Sequence, residues 1–342
     1  MRYPSGLRWS PPFGEPHEVA DGVFWLRMPL PMQLDHINLW LLRDGDGWVI
    51  VDTGMYDPGC QQTWEKLFAS FLSPAQVRRI VVTHFHPDHL GLASWLQEKC
   101  GCDVFISEPE YAFYYYLRTR DFDNYAGRAE QIQHELGIDA ATSKISIKAF
   151  GEVNKSKTLD AAHCQFLADG AELEIGGRRW RAVSGSGHSP LHLCWYAEAS
   201  GLLLSGDQAL PRISSNVSVF VDSIDQNPLQ AWLASCAKLR RQIAADTLVL
   251  PAHQEPFVGI GERMQQLIDG HERDLDTLRA ALVEPLSTEQ ASHALFPRKL
   301  DTFGRLMAVG ETLAHINYLL ASSEIKSRLD ADGIRRYSRG SD

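Results

Sequence analysis

The sequence predicts an α/β fold with a small C-terminal appendage, and two observations support this prediction. Apolar strand segments occur in pairs in both halves of the chain, and segments with helical periodicity separate these pairs. The length of 342 residues allows one large domain with an appendage. Because 44% of the residues are hydrophobic and 22% are charged, as in ordinary globular proteins, we expect the whole chain to fold.

In the N-terminal half, the first strand pair lies at residues 38–52, where two apolar runs flank an Asp-Gly-Asp-Gly turn. Helical periodicity follows over residues 60–71. Residues 77–83 are then predicted to form a buried strand that ends directly before His84, and a short strand is predicted at 103–107.

In the C-terminal half, strands resume with a second hairpin and then alternate with helices. Asn227 can cap a helix whose first residue is Pro228. Pro285 is expected to end the last long helix of the main domain. The predicted elements are strands at 191–196, 202–205 and 247–250 and helices at 228–243 and 261–284.

These elements divide the chain into a main domain, residues 1–285, and a small C-terminal domain, residues 286–342. Within the main domain, residues 108–160 interrupt the β-rich pattern and are rich in aromatic side chains. This insertion could form a lid or an apolar pocket for an acyl chain. Its alternative role is simple packing or a dimer interface.

Metal-binding residue types are concentrated in the run THFHPDHLG at residues 83–91. In an extended loop, side chains two residues apart point the same way, so His84 and His86 can bind one ion. Asp88 and His89, at the turn into a helix, can face a second ion. Three histidines and an aspartate within six residues rarely occur together by chance.

Three further candidate ligands each lie just beyond a predicted strand. They are His188 in Gly-Ser-Gly-His-Ser, Asp207 in Ser-Gly-Asp and His253 in Pro-Ala-His. The chain has 13 histidines, and a single histidine is more often structural than a ligand. However, strand ends joined to loops are where rigid scaffolds present catalytic groups. We therefore predict one site built from these three residues and the 83–91 run.

The order His-x-His-x-Asp-His, Gly-His-Ser, Gly-Asp and a late histidine resembles the metallo-β-lactamase superfamily over about residues 20–270. The resemblance implies a four-layer αββα sandwich, in which helices flank two β-sheets and the site lies at one edge. The main domain would then be the catalytic domain. The implied ligands are His84, His86 and His188 for metal 1 and Asp88, His89 and His253 for metal 2, with Asp207 bridging the two.

Two more positions bear on this resemblance. Asp52, in Val-Asp-Thr-Gly, matches an early aspartate of the family that is buried behind the ligands and orients them. Alternatively, Asp52 is a structural residue in a turn after a strand. The late histidine usually lies beside glycine in the family, whereas here His253 lies between Ala252 and Gln254. The resemblance also implies that Asp88 accepts a proton from the attacking water.

The C-terminal residues 310–337 resemble the winged-helix appendage of a subgroup that includes a human lactamase-like endoribonuclease and many bacterial hydrolases. The expected elements are a helix from Ser287, a longer helix over 307–320 and a small β-wing over 325–337. On the longer helix, His315 is expected to be a packed histidine.

The ligand types favour hydrolysis. Two divalent cations about 3.5–4 Å apart lower the pKa of a bridging water and polarise a carbonyl or phosphoryl oxygen, so we expect attack by a metal-bridged hydroxide. Imidazole and carboxylate ligands suit zinc, manganese or iron and exclude calcium. Zinc is the expected ion.

Two substrate classes remain open. A small thioester or other acyl ester, as in the glyoxalase II branch, needs only the metal site and an apolar pocket. An endoribonuclease or phosphodiesterase also needs cationic phosphate contacts. The net charge is −10, and residues 285–342 contain eight Lys/Arg and seven Asp/Glu. This charge favours a small-molecule acyl ester and argues against nucleic acid.

Two alternatives lie outside hydrolysis. A non-catalytic binding or oligomerisation module on a lactamase fold would not need all seven ligand types, which are present here. An iron-dependent persulfide dioxygenase of the same superfamily would use one metal, so it would not need the second set formed by Asp88, His89 and His253.

The compartment is predicted from the N-terminus and the cysteines. The N-terminus lacks the apolar core of a secretory signal, and no apolar run approaches the roughly 20 residues of a membrane helix. Six dispersed cysteines without a Cys-x-x-Cys pair are expected to be free thiols. We therefore expect a cytoplasmic protein with no membrane partner, and a homodimer is its candidate assembly.

Overall fold

The structure is a computed structural model that describes residues 1–4, 10–32, 34–152 and 157–339. The chain divides into two compact units, each built from separate stretches of sequence. Unit 1 contains Met1–Arg118, Lys155–Ser215 and Ala237–Met264, and unit 2 contains Thr119–Asn154, Asn216–Cys236 and Gln265–Asp342. The domain boundary at residue 285 stays a prediction.

Unit 1 contains a seven-stranded sheet in which the strand order follows the chain. Its strands are β1 (His17–Ala20), β2 (Val23–Pro29), β3 (His36–Asp44), β4 (Gly47–Val51), β5 (Val77–Val81), β6 (Val104–Ser107) and β7 (Cys164–Leu167). Strands β1 to β4 pair antiparallel, and β4 to β7 pair parallel. The predicted first hairpin is thus formed by β3 and β4.

A second sheet of six strands also belongs to unit 1. Its strands are β8 (Glu172–Ile175), β9 (Arg178–Gly185), β10 (His192–Ala197), β11 (Leu202–Gly206), β12 (Leu248–Pro251) and β13 (Phe257–Val258). The spatial order reverses the chain order, from β13 to β8. β10 and β11 form the second predicted hairpin, and β11 pairs parallel with β12.

The two sheets pack face to face around one apolar core. Alternate residues of each strand point inward because side chains in a strand alternate between faces. On β2 and β3, for example, Trp25 and Trp40 are directly opposite each other, and their rings stack with centroids 6.1 Å apart. Leu193, Trp195 and Leu204 of the second sheet belong to the same buried cluster. The predicted sandwich is therefore confirmed.

Helices pack against the sheets of unit 1, and further helices form much of the 108–160 insertion. In unit 1, α1 packs against β2 and α3 packs against β5. The helices are α1 (Pro58–Ser70), α2 (Pro87–Leu90), α3 (Ala93–Cys100), α4 (Glu108–Thr119), α5 (Phe122–Glu135), α6 (Ala140–Glu152), α7 (Pro228–Gln242), α8 (Ile260–Ala281), α9 (Thr288–Leu295) and α10 (Thr302–Ala321). The long helix α8 ends before residue 284, so Pro285 lies beyond its last turn.

The C-terminal part of unit 2 contains α9, α10 and a two-stranded hairpin, β14 (Ile325–Leu329) and β15 (Arg335–Arg339). The longer helix begins at Thr302 rather than near 307, because the Asp301 side chain caps it by accepting a hydrogen bond from Gly304 N at 2.7 Å. Across the described ranges, no helix combines the length and apolar character needed to cross a bilayer.

We predict that Leu193→Ala will lower the free energy of unfolding by about 2–5 kcal/mol, because it leaves a cavity between the two sheets. Leu193 is fully buried in the shared core. The matched control is Leu329→Ala, since Leu329 is 53% exposed on β14. Urea unfolding followed by circular dichroism measures both variants. Equal midpoints for the two would contradict the packed core.

Candidate metal centre

The seven predicted ligands all lie in unit 1, at the carboxyl ends of strands. β9, β11 and β12 run in the same direction, because β9 and β11 both pair antiparallel with β10 and β11 pairs parallel with β12. Their ends therefore meet at one edge of the second sheet. His188 follows β9, Asp207 follows β11, and His253 follows β12. The other four ligands, His84, His86, Asp88 and His89, come from the loop after β5 and from α2.

The structure brings these seven side chains into two adjacent groups. In each group, one nitrogen or oxygen atom per residue lies within 4.8 Å of the others. The first group is His84, His86, His188 and Asp207, and the second is Asp88, His89 and His253. The grouping matches the two ligand sets that the family resemblance implied.

Asp207 contacts both groups through different oxygen atoms. Its Oδ2 lies 3.3 Å from His188 Nε2 and 3.9 Å from His84 Nε2. Its Oδ1 lies 3.5 Å from His89 Nε2 and 3.4 Å from His253 Nε2. This is the geometry that a carboxylate bridging two cations requires.

Two of the imidazoles, those of His84 and His86, are in the state that metal binding needs, whereas neighbouring carboxylates raise the pKa of His89 and His253 despite their burial. His84 Nε2 and His86 Nδ1 approach to 2.8 Å. Burial lowers the pKa of His84 well below its ordinary value and that of His86 to about 3, so both rings are neutral and carry a lone pair.

Two buried polar atoms face the centre without a partner. Across the residues the structure describes, neither His89 Nε2 nor Asp207 Oδ1 has a hydrogen-bond partner. Buried polar atoms are normally paired, so these two atoms indicate that a bound ligand other than a protein group occupies the site. The donor set of imidazoles and carboxylates therefore fits two divalent metal ions.

Asp88 supplies a negative charge on the second group. Burial opposes the charge of its carboxylate, but the neighbouring His89 and His253 outweigh that effect and lower the pKa of Asp88 to about 2. Its Oδ2 lies 3.4 Å from His253 Nε2 and 3.6 Å from His89 Nε2. Asp88 is thus ionised and placed beside two ligand nitrogens.

Asp52 lies behind the second group. Its buried carboxylate lies 2.7 Å from His89 Nδ1 and accepts hydrogen bonds from the Thr83 backbone N–H at 2.8 Å and the Thr83 hydroxyl at 2.9 Å. The contact at Nδ1 directs His89 Nε2 toward Asp88 and Asp207. Asp52 also has a φ of +61°, a left-handed conformation that aspartate tolerates better than most residues.

His192 is a buried neighbour that the sequence analysis missed. It lies on β10, and its Nε2 accepts a hydrogen bond from the Asp207 backbone N–H at 3.2 Å. The ring explains the glycine before Asp207, since a Cβ at Gly206 would lie 2.3 Å from His192 Nε2. A histidine inside an otherwise apolar strand was the available signal.

Glu110 on α4 is a second missed residue. Its Oε1 accepts hydrogen bonds from Ser189 Oγ and Leu191 N, both at 2.6 Å. Its Oε2 accepts one from Phe85 N at 3.0 Å. One carboxyl group therefore ties the loop of His84 and His86 to the loop of His188. Burial raises the pKa of Glu110 to about 7.

His36 and Gln254 position the late histidine. His253 Nδ1 donates to the His36 carbonyl oxygen at 2.8 Å, which leaves Nε2 facing the centre. Gln254 N donates to His36 Nε2 at 3.0 Å. Gln254 has a φ of +68°, the region that favours glycine. The position beside His253 thus keeps a left-handed backbone although the side chain is glutamine.

Comparison with known proteins agrees with this geometry. A model described as the metallo-beta-lactamase superfamily matches residues 32–253, and one described as a metallo-beta-lactamase-like C-terminal domain matches residues 275–340. The chain therefore belongs to the metallo-β-lactamase superfamily, and it is a metal-dependent hydrolase. The predicted family and fold class are both confirmed.

Similar proteins include two solved structures and two named relatives. A beta-lactamase domain protein from Burkholderia ambifaria is 38% identical, with a TM-score of 0.90 over 99% of this chain and 98% of that one. A metallo-beta-lactamase family protein from Thermus thermophilus is 29% identical, with a TM-score of 0.79 over 94% and 100%. The Bacillus subtilis "Probable metallo-hydrolase YqjP" is 25% identical over 90% of this chain and 95% of its own. The "Acyl-coenzyme A thioesterase MBLAC2" of Bos taurus is 23% identical over 70% and 80%.

We predict that Asp52→Asn will weaken binding of the second metal equivalent about 10–100-fold, because the amide no longer holds His89 by a charged contact. Competition with a chromogenic chelator measures the affinity. Asp246→Asn, at an exposed turn position, is the control and should leave both affinities unchanged. Wild-type affinity in the Asp52→Asn protein would show that Asp52 does not orient the site.

Proposed function

We propose that the protein hydrolyses a small thioester or another acyl ester with two zinc ions held by the seven-residue centre. The contacts of Asp207 with both ligand groups are the observation that supports the dinuclear mechanism. When bound, the two ions would lower the pKa of a water molecule and polarise the carbonyl oxygen of the substrate. Zinc is proposed because an all-imidazole and carboxylate donor set is typical of hydrolytic zinc sites.

The protein residues then have separate roles. In this proposal, His84, His86 and His188 would hold the first ion, and Asp88, His89 and His253 would hold the second. Asp207 would bind both ions and offset part of their charge. Asp88, the ionised carboxylate at the second group, would also accept a proton from the attacking water.

An aromatic wall beside the centre supports an acyl substrate. Phe85 lies between His84 and His86 and is buried. The Phe113 ring of α4 meets it edge to face, with centroids 4.9 Å apart. Tyr116 follows one turn later, 6.4 Å from Phe113, and is 40% exposed. This row leads from the ligand loop to the surface and offers an apolar surface to an acyl chain.

Sequence similarity to the relative named as an acyl-coenzyme A thioesterase also supports an acyl substrate. It is similar over 70% of this chain, although the identity of 23% leaves the substrate a proposal. An acyl thioester combines the two features that the site offers, a carbonyl for the metal centre and an apolar chain for the aromatic wall.

A nuclease is the weaker candidate because arginines of unit 2 are already paired. Arg305 contacts Glu289 at 2.7 Å, and Arg335 contacts Glu135 at 3.1 Å. Arg336 contacts Asp330 at 2.8 Å. Phosphate binding would have to compete with these ion pairs, so we propose that the C-terminal winged-helix-like elements do not bind nucleic acid.

We also propose a cytoplasmic location. The six cysteines are free thiols, which is typical of a reducing compartment. The lid role of the 108–160 insertion and the homodimer both stay predictions.

We predict that Phe113→Ala will raise KM for a long-chain acyl thioester about 10-fold and leave KM for an acetyl thioester unchanged, because only the longer chain reaches the aromatic wall. Phe71→Ala is the matched control, since Phe71 contacts Phe24 and Trp48 and is 37% exposed. Steady-state kinetics on thioesters, lactones, β-lactams, phosphodiesters and RNA test the class. Turnover of RNA alone would overturn the acyl-ester proposal.

We predict that Asp207→Ala will lose bound metal and reduce turnover by more than about 100-fold, because a bridging ligand affects both ions at once. Elemental analysis and the same kinetic assay measure the two effects, and circular dichroism checks the fold. Asp246→Ala at the exposed turn should change neither. A folded Asp207→Ala protein with two metals and wild-type turnover would remove the bridging assignment.

A further inference from the structure

Unit 2 contains a second cluster of metal-binding residue types, outside the catalytic centre. His271 and Asp274 are three residues apart on α8, so their side chains share one face of that helix. His315 comes from α10, and the sequence analysis predicted it only as a packed histidine. One ligand atom from each of the three lies within 4.8 Å of the others.

Both histidines are buried, and one has a fixed tautomer. His271 is 4% exposed and His315 is fully buried. His315 Nδ1 lies 2.8 Å from the Glu311 carbonyl oxygen, and a carbonyl can only accept, so Nδ1 carries the proton. The Nε2 of His315 therefore carries the lone pair of the neutral ring. Metal-binding histidines are commonly oriented by such a bond from the other ring nitrogen.

The two rings approach each other as paired ligands do. His315 Nε2 lies 3.1 Å from His271 Nδ1. The corresponding nitrogens of His84 and His86 are 2.8 Å apart in the catalytic centre. Burial, with a contribution from His315, lowers the pKa of His271 to about 3, so this ring is also neutral.

A simple hydrogen bond between the two histidines leaves Asp274 unexplained. This carboxylate is half-buried, burial raises its pKa against the opposing effects of His315 and Arg273, and it has no salt bridge within the described part of the chain. Glu311, a second carboxylate, lies near enough to Asp274 to feel its charge and accepts a hydrogen bond from Asn216 at 2.9 Å. Two neutral imidazoles beside two carboxylates form a region that a cation would stabilise.

We propose that His271, Asp274 and His315 bind a third divalent transition-metal ion, which joins α8 to α10 within unit 2. Two imidazoles and a carboxylate suit zinc, cobalt or nickel and do not suit magnesium or calcium. The ion binds the folded unit and not the unfolded chain, so it stabilises unit 2. This site is separate from the catalytic centre, because none of its residues belongs to unit 1.

The test compares Asp274→Asn with Glu272→Gln in the full chain. Each variant removes one carboxylate from α8, but Glu272 is exposed and outside the cluster. After saturation with zinc and gel filtration, elemental analysis should show about one metal equivalent less per chain in Asp274→Asn than in wild type. Glu272→Gln should match wild type. Turnover should be unchanged in both, since the catalytic ligands are intact.

A second readout covers any change in folding. Added zinc should raise the thermal midpoint of wild type and Glu272→Gln more than that of Asp274→Asn. The difference between variants carries the test, so it does not depend on how many ions the catalytic centre holds. Equal metal content and equal zinc-induced shifts in all three proteins would show that the cluster is only a hydrogen-bonded histidine pair. A loss of metal accompanied by a proportional loss of turnover would assign that metal to the catalytic centre and also overturn the proposal.

Discussion

The position of one buried carboxylate, Asp207, determines the rest of the catalytic centre. A buried charge is costly unless opposite charges compensate it, and the imidazoles of His89, His188 and His253 lie beside this one. The strand end fixes the carboxylate firmly: Gly206 has a φ of +49°, His192 accepts the Asp207 N–H, and Ser215 donates to the Asp207 carbonyl oxygen. Two cations, one at each oxygen, would compensate the charge and use the lone pairs of both histidine groups.

The surrounding residues explain how loops achieve the precision that such a centre needs. Each ligand loop is tied to a rigid element by a buried polar contact. Asp52 at the end of β4 fixes His89, and the His36 carbonyl at the start of β3 fixes His253. Glu110 on α4 joins the loop of His84 and His86 to the loop of His188 through three hydrogen bonds. The sandwich therefore acts as a frame that holds both ligand groups at a set separation.

The sandwich and the seven candidate ligands could be predicted from the sequence because each is carried by a local pattern. Alternating apolar residues mark the strands, and His84 to His89 form a compact motif. Glu110, His192 and His36 were missed because their roles depend on contacts with residues distant in sequence, such as Ser189 and His253. The cluster of His271 and His315 was missed for the same reason, since two separate helices must pack before it exists. The proposed substrate recognition also depends on contacts between residues distant in sequence, because the aromatic wall depends on the packing of Phe113 against Phe85.

The most direct test of the dinuclear centre is anomalous diffraction from zinc-loaded crystals, recorded on both sides of the zinc absorption edge. Two anomalous peaks about 3.5–4 Å apart are predicted within the cluster of His84 to His253, with one Asp207 oxygen nearest to each peak. A single peak in that cluster, or two peaks that both lie beside the same Asp207 oxygen, would contradict the bridging role of Asp207.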